Sequence, residues 1–342
     1  MKEQPSIPKR EDVLGTRTTG PSSSLKSRGR VLLRMSTLPA IIFCGTVVVL
    51  IGIIQPSTRS QFGVELLLSA AIPAAFAALA QTFIVVAGDI DLGLGSALGL
   101  VNVLMATVMV SHVAAGWMAA VGIIVAYAAM GWLIEVFQVP SFVVTLGASF
   151  VWLGVALVLQ PQPGGESPAW LSQVYNATLP VIPEPVYVLV AAAGLAYWVL
   201  NRASYGVVLR GFGKRPEALM QVGRSRLRAK MCLYALAGLC VVIGGLAITA
   251  QSGGSDANAS ATYTLLSIAA VVIGGADFGG GVASPMGSVL GALALALLSS
   301  LLSFLNVSTN YNTAVLGACL IAVFALQLVL RKLSPGKEGD TW

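Results

Sequence analysis

RASYGVVLRGFGKRPEALMQVGRSRLRAK, residues 202–230, is the most polar stretch in the interior of the chain and carries eight Lys and Arg residues between long apolar segments. A chain embedded in a membrane has to place such a stretch in water, and an excess of Lys and Arg is typical of cytoplasmic loops. We call residues 202–230 the central loop. Its position predicts that the apolar segments on either side of it are membrane spans.

The composition supports a membrane protein. The 342 residues are 56% hydrophobic and only 10% charged, whereas a soluble domain carries about 25% charged residues. The apolar runs are continuous over about 20 residues, which suits membrane-spanning helices, while barrel strands alternate over about 10 residues. We therefore predict an all-α polytopic membrane protein without a large soluble domain.

The basic residues are clustered in three zones. Eight lie in the first 36 residues, eight in the central loop and three after residue 330, and Arg59 alone lies elsewhere. This distribution favours cytoplasmic positions for both termini and for the central loop, and it does not indicate nucleic-acid binding. The predicted organisation is a disordered basic tail over residues 1–36, a single membrane domain over 37–330 and a short tail over 331–342.

We predict about ten membrane-spanning helices from the apolar runs. Their approximate bounds are 37–54, 64–87, a third that follows residues 88–96 and continues to 110, 116–136, 141–159, 186–200, 231–250, 264–273, 285–305 and 313–330. Residues 161–185 contain six prolines, two acidic residues and no basic residue, which predicts an extracytoplasmic loop.

Two glycine-rich turns that carry aspartate interrupt the spans. GDIDLGLGS, residues 88–96, separates the second span from the third, and GGADFGGG, residues 274–281, separates the eighth from the ninth. Short or glycine-broken segments in both halves of a transporter indicate a substrate pathway between discontinuous helices. We assign the predicted pathway to seven residues: Asp89, Asp91, Ser96, Asn102, Thr145, Gly275 and Gly280.

Each of these residues also has a structural alternative. Ionisable residues at membrane depth are functional candidates, but Asp91 is also well placed to cap the third helix by accepting its first N–H groups. Asn102 has an amide and Thr145 a hydroxyl. Each group is suited to hydrogen-bond a polyol in the pathway, or to hydrogen-bond a neighbouring helix. The G-x-x-x-G pairs Gly95/Gly99 and Gly287/Gly291 favour close helix packing.

PEALMQVG, residues 216–223, has a proline at its start and a glycine at its end, which predicts a short helix within the central loop. Glycine-containing turns are predicted before it, at Gly206, Gly211 and Gly213. An ordinary loop that fixes topology would account for the charge. A loop of this length with its own helix also suits a docking site for a soluble partner.

The sequence lacks the motifs that several kinds of chemistry require. The P-loop pattern is missing, because Gly213-Lys214 is followed by Arg215 and Val208 stands at the first-glycine position, so no ATP site of that kind is predicted. The four cysteines fall in apolar runs without a C-x-x-C pair, which argues against metal or redox chemistry. We predict neither a cofactor nor an enzyme active site.

Four stretches together resemble one protein family. Residues 202–249 resemble the cytoplasmic loop and following helix of bacterial ABC sugar-import permeases of the ribose, xylose and autoinducer-2 type, a branched-chain-transport-like permease family. AGDIDLGLGSALGL, VPSFVVTLGASFVWLGVAL and SIAAVVIGGADFGGGVASPMGSVLGALAL, which begin at residues 87, 139 and 267, are similar to three further segments of that family. The four motifs occur in the family's order and span residues 65–330.

The resemblance implies a type II ABC importer-like fold and a permease subunit that moves a monosaccharide or similar polyol across the bacterial inner membrane by alternating access. It also implies four kinds of partner: a cytoplasmic ABC ATPase, a periplasmic sugar-binding protein, a second permease copy in a homodimer or heterodimer, and membrane lipid. The ATPase contact that it implies involves Gly213, Pro216, Glu217, Ala218 and Gly223.

Two other classes of protein remain possible at this point. A secondary, ion-coupled transporter would use Asp89 or Asp91 as a proton relay. A membrane scaffold or membrane enzyme is the other class, and the lack of a catalytic constellation argues against it.

Overall fold

The structure, a computed structural model, describes residues 22–175, 182–214, 217, 221, 223–308 and scattered residues between 311 and 325. The chain divides into two compact units, Met1–Met35 and Ser36–Trp342. The described helices are α1 Ser22–Ile54, α2 Gln61–Val86, α3 Leu94–Leu104, α4 Val113–Phe137, α5 Ser141–Leu159, α6 Ala169–Tyr175, α7 Glu184–Asn201, α8 Gly206–Lys214, α9 Arg226–Ser252, α10 Thr262–Ile273 and α11 Pro285–Phe304.

Local sequence signals set several helix boundaries. The hydroxyl oxygens of Ser60, Ser225 and Ser284 accept N–H groups in the first turns of α2, α9 and α11, which satisfies donors that have no partner within the helix. A short 3₁₀ helix, Pro56–Arg59, precedes α2, and a π-helical turn, Met105–Met109, extends α3. The long apolar segments between these boundaries satisfy their own backbone groups, as a membrane requires.

Seven of the described helices are long and apolar enough to cross a membrane: Thr37–Ile54, Gln61–Val86, Val113–Phe137, Ser141–Leu159, Glu184–Asn201, Arg226–Ser252 and Pro285–Phe304. Two shorter apolar helices, Leu94–Met109 and Thr262–Ile273, lie beside them. The prediction of an all-α polytopic membrane protein is confirmed. The predicted tenth span, residues 313–330, lies largely outside the described residues.

The helices differ in how much of their surface is buried. α9 packs against α4, α2 and α3, and α2 also packs against α11, α10 and α7. Every residue of α3 except Ser96 is buried, so α3 occupies the interior of the bundle. α5 has only Thr145 and Ala156 buried, and the other residues on this apolar helix leave a broad face for lipid.

The turns and loops separate into two ends of the bundle. The central-loop end contains residues 86–93, 138–140, 202–214, 223–225 and 274–284, and the Gly281 N–H donates to the Val86 carbonyl there at 2.9 Å. The opposite end contains residues 55–60, 110–112, 160–168 and 253–261. There Gly164 and Ser255 exchange two backbone hydrogen bonds of 3.0 and 2.7 Å. Both glycine-rich turns therefore lie at the central-loop end.

α1 begins at Ser22, and the disorder of the tail over residues 1–36 stays a prediction. The turns predicted at Gly206, Gly211 and Gly213 are wrong in detail. Residues 206–214 form α8 in place of the predicted turns, because Leu209 and Phe212, three residues apart, bury their side chains on one face. The predicted helix at 216–223 lies mostly outside the described residues.

The G-x-x-x-G prediction for Gly287 and Gly291 leads to a stability test. A Cβ at Gly291 would overlap the Ala270 carbonyl oxygen across the α10–α11 contact, whereas a Cβ at Gly194 in α7 meets nothing within 4 Å. We expect Gly291→Ala to lower the free energy of unfolding by about 1–3 kcal/mol through overpacking. Gly194→Ala serves as the matched control and should be neutral or stabilising by up to about 1 kcal/mol. Thermal unfolding in detergent compares the two, and equal shifts would contradict the close α10–α11 contact.

Candidate functional site at the central-loop end

α8 rests directly on the end of α2 and on the second glycine-rich turn, residues 274–281. The Cα of Gly213 lies so close to the Val86 carbonyl oxygen and the Gly281 amide nitrogen that no Cβ fits between them. A Cβ at Gly280 would in turn lie 2.6 Å from the Gly213 carbonyl oxygen. Gly280 has φ +83°, a left-handed conformation that favours glycine. A displacement of α8 would therefore act on the end of α2 and on the turn between α10 and α11 together.

Asp91 anchors the turn between α2 and α3. Its side chain is buried, its Oδ1 accepts the Gly93 N–H at 2.7 Å, and its Oδ2 accepts the Tyr127 hydroxyl of α4 at 2.9 Å. With its amide oriented to suit both partners, Gln81 of α2 pairs with the backbone N–H and carbonyl of Asp91 at 3.2 and 3.3 Å. A buried carboxylate needs such donors, so these contacts fix the turn.

α5 holds the same turn from another side through Thr145, which is fully buried. The Thr145 hydroxyl oxygen accepts the Leu92 N–H at 3.1 Å, and the hydroxyl donates to the Ile90 carbonyl at 3.3 Å. A Cβ at Gly93 would lie 2.6 Å from the Thr145 carbonyl oxygen. The close approach of α5 to this turn thus depends on glycine at position 93.

Four charged side chains from three parts of the chain meet beside this turn. The Lys230 Nζ lies 3.0 Å from Asp89 Oδ2 and 3.8 Å from Glu135 Oε2, and the Arg226 Nε lies 2.9 Å from Glu135 Oε1. We call Asp89, Glu135, Arg226 and Lys230 the four-charge cluster. Its two cations and two carboxylates balance, which buried charges require because an unpaired one is costly.

A polar cavity lies beside the four-charge cluster. Its volume is about 370 Å³, and the cluster's four side chains line it together with Gln138, Ser141 and Phe212, among others. The cluster is therefore packed on one side and borders open space on the other, which leaves room for its side chains to exchange partners.

Asn102 lies at the opposite end of the bundle. Its amide nitrogen donates to the Thr249 hydroxyl oxygen and to the Gly254 carbonyl, both at 3.0 Å, and its Oδ1 accepts the Asp256 N–H at 3.1 Å. These bonds join α3 to the end of α9 and to the loop that follows it.

The structure brings together some of the predicted pathway residues and separates others. Asp89, Asp91 and Thr145 meet at the α2–α3 turn, while Ser96 is half-buried one turn further into α3. Gly275 has φ +83° just after α10, at the same end. Their role in a pathway stays a prediction.

The predicted ATPase-contact residues are only partly described. Gly213 lies in the last turn of α8, and Glu217 and Gly223 are exposed. Gly223 has φ +69° and would leave open space around a Cβ. Pro216 and Ala218 lie outside the described residues.

Sequence reasoning missed Glu135, Lys230, Tyr127 and Tyr234. Tyr234 lies one helical turn after Lys230 in α9, and its hydroxyl also donates to Asp89, at 3.0 Å. One signal was available, because Glu135 is the single acidic residue in the fourth span and a charge within a span is a functional candidate. Lys230 gave no such signal among eight central-loop cations.

Comparison with known proteins shows that the chain matches one protein family and is similar to several named permeases. Residues 37–324 match the family described as "Branched-chain amino acid transport system / permease component". The ribose import permease protein of Bacillus subtilis (strain 168) is 29% identical over 283 residues, which cover 81% of this chain and 88% of that protein.

Two further relatives are the fructose import permease protein of Rhizobium meliloti and the xylose transport system permease protein of Escherichia coli (strain K12). The first is 25% identical over 291 residues, covering 80% of each chain. The second is 25% identical over 313 residues, covering 71% of this chain and 79% of that protein. No solved structure matches the chain.

The hydrogen bond between Tyr127 and Asp91 leads to a second stability test. We expect Tyr127→Phe to lower the free energy of unfolding by about 1–3 kcal/mol, because the buried Asp91 carboxylate loses a donor. The loss should shrink in an Asp91→Asn background, where the acceptor is no longer charged. Tyr187→Phe, at an exposed tyrosine, is the matched control in the same thermal unfolding assay. Equal shifts at positions 127 and 187 would show that the bond contributes nothing.

Proposed function

The chain belongs to the family of permease components of the branched-chain amino acid transport system, and from that premise we propose that it is the membrane-spanning subunit of an ATP-driven importer of a monosaccharide or similar polyol. The observation that carries the proposal is similarity along most of the chain to permeases named for ribose, fructose and xylose. The chain's apolar helices with glycine-broken turns support the transport of a small polar solute.

The energy for import would come from a cytoplasmic ABC ATPase. The sequence has no P-loop, so ATP hydrolysis is assigned to this partner. We propose that the ATPase docks on the central loop through Gly213, Pro216, Glu217, Ala218 and Gly223. The contact of Gly213 with Val86 and Gly281 supports this assignment, because a force applied to α8 would reach both broken helices.

The proposed transport cycle is alternating access between the two ends of the bundle. The hydrogen bonds of Asn102, Gly164 and Ser255 would seal the opposite end in one state. The four-charge cluster and the α2–α3 turn would seal the central-loop end in the other. The solute would pass between them along Asp89, Asp91, Ser96, Asn102, Thr145, Gly275 and Gly280.

The proposed location is the bacterial inner membrane, with both termini and the central loop in the cytoplasm. The three basic zones of the sequence support this orientation. A periplasmic sugar-binding protein would then deliver solute to the opposite end. A second permease copy, identical or homologous, would complete the membrane part of the importer.

One observation favours a second candidate, a secondary transporter that uses Asp89 or Asp91 as a proton relay. Among the residues that the structure describes, the Asp91 carboxylate is held by neutral hydrogen-bond donors and has no ion pair. Buried ionisable groups inside transporters are often proton carriers. The two candidates differ in the energy source, which can be measured.

Solute uptake into proteoliposomes tests the proposed function. The permease is reconstituted with its co-purified ATPase and binding protein, with ATP supplied on the ATPase side and labelled ribose, xylose, fructose or leucine on the other. We expect uptake of at least one sugar that requires hydrolysable ATP, because the permease has no energy source of its own.

Two control arms separate the alternatives. A pH gradient imposed on vesicles that contain the permease alone should drive no uptake, and uptake in that arm would replace the ATP-driven importer with the secondary transporter. ATP-dependent uptake of leucine without any sugar would keep the ATP-driven importer and overturn the sugar assignment.

A further inference from the structure

Lys230 connects the part of the central loop that contacts the broken helices to the α2–α3 turn. Its ammonium group lies 5.9 Å from the ring centroid of Phe212, which is buried in α8 one residue before Gly213. The same ammonium forms the ion pair with Asp89 at 3.0 Å. A cation over an aromatic face is an attractive contact, so Lys230 contacts α8 on one side and the α2–α3 turn on the other.

Lys230 also has a second carboxylate within reach. Glu135 of α4 lies 3.8 Å away through Oε2, while its other oxygen pairs with Arg226. A short movement of the ammonium group away from Asp89 would bring it into close contact with Glu135. The polar cavity beside the cluster gives the side chain space for that movement.

Burial makes the pairing of Lys230 obligatory. Its side chain is 8% exposed, and those of Asp89 and Glu135 are 11% and 10% exposed. At such burial, salt screens the charges little, and a cation without a partner is strongly disfavoured. Lys230 should therefore be paired in every state of the protein, either with Asp89 or with Glu135.

Resting on the proposed function, we propose that Lys230 is a positioning residue that transmits the movement of α8 to the Asp89–Asp91 turn by exchanging Asp89 for Glu135. While Lys230 holds Asp89, the turn is fixed to α9, and the Tyr234 hydroxyl reinforces this through the same carboxylate oxygen. When the ATPase displaces α8, Phe212 moves and Lys230 shifts to Glu135. The α2–α3 turn then loses its ion pair to α9 and is held to that helix through the weaker Tyr234 hydrogen bond. The two alternative ion pairs of Lys230, with Asp89 or with Glu135, give the α2–α3 turn two discrete states. Coupling between distant sites requires an element with two such states.

The test measures uptake and ATP hydrolysis together in the reconstituted permease–ATPase complex with its binding protein. Lys230→Met keeps much of the apolar stem and removes the charge. We expect the complex to continue hydrolysing ATP, while solute transported per ATP falls about tenfold, a typical size for coupling between sites. Lys230→Arg, which preserves the cation, should retain much of the coupling. Arg228→Met, which removes an exposed charge from the same turn of α9, is the matched control and should leave the ratio unchanged.

A double variant separates transmission from simple charge balance. If Lys230 only neutralises Asp89, then Asp89→Asn combined with Lys230→Met removes both charges and should restore transport per ATP. If Lys230 transmits movement, the double variant stays uncoupled although its thermal unfolding midpoint recovers. Glu135→Gln should also reduce transport per ATP, because it removes the second partner.

The outcomes distinguish this inference from the proposed function. If the wild-type complex shows ATP-driven uptake and the Lys230→Met variant transports as much solute per ATP, only the role proposed for Lys230 is overturned. Restored coupling in the double variant, or a parallel loss of stability, hydrolysis and uptake in Lys230→Met, would also overturn it. A wild-type complex without ATP-driven uptake would overturn both proposals together.

Discussion

A close backbone contact at the central-loop end is the constraint that links the segments of the candidate site. Gly213 of α8 meets the Val86 carbonyl and the Gly281 amide with no space for a side chain, and Gly281 donates to Val86. Three segments that are far apart in sequence thus share one junction. Because the junction is formed by backbone atoms, a displacement of α8 would act directly on the end of α2 and on the turn between α10 and α11.

The charged residues near this junction follow from the cost of burying charge. An ion taken out of water loses several kcal/mol of solvation, which only close partners offset. Asp89, Glu135, Arg226 and Lys230 provide those partners for one another, and Asp91 is satisfied by the Gly93 N–H and the Tyr127 hydroxyl. Such a network is stable only in particular pairings. A movement of one member forces another to find a new partner, and this property makes the cluster suitable for transmitting a conformational change.

The sequence predicted those features that depend on local composition, and it missed those that depend on packing between distant segments. The bounds predicted for Ser141–Leu159 agree with α5, because Pro140 and the polar residues after Leu159 mark both of its ends. The pairing of Lys230 with Asp89 joins residues 141 positions apart, and no periodicity reports such a contact. α8 was missed for a related reason, since its three glycines favour turns locally and only the burial of Leu209 and Phe212 makes the segment helical. The role of Asn102 in joining α3 to the end of α9 likewise required the fold.

In the proposed transport cycle, the opposite end of the bundle must open each time solute enters. Gly164 and Ser255 face each other there in an antiparallel bridge, at a separation that suits a disulfide. The most direct measurement is therefore solute uptake by a Gly164→Cys/Ser255→Cys variant before oxidation, after oxidation and after reduction, with each single variant as a control. We expect oxidation to abolish uptake, reduction to restore it, and the single variants to be unaffected. Normal uptake by fully cross-linked protein would show that this end stays closed during transport, and it would contradict alternating access through the two ends described.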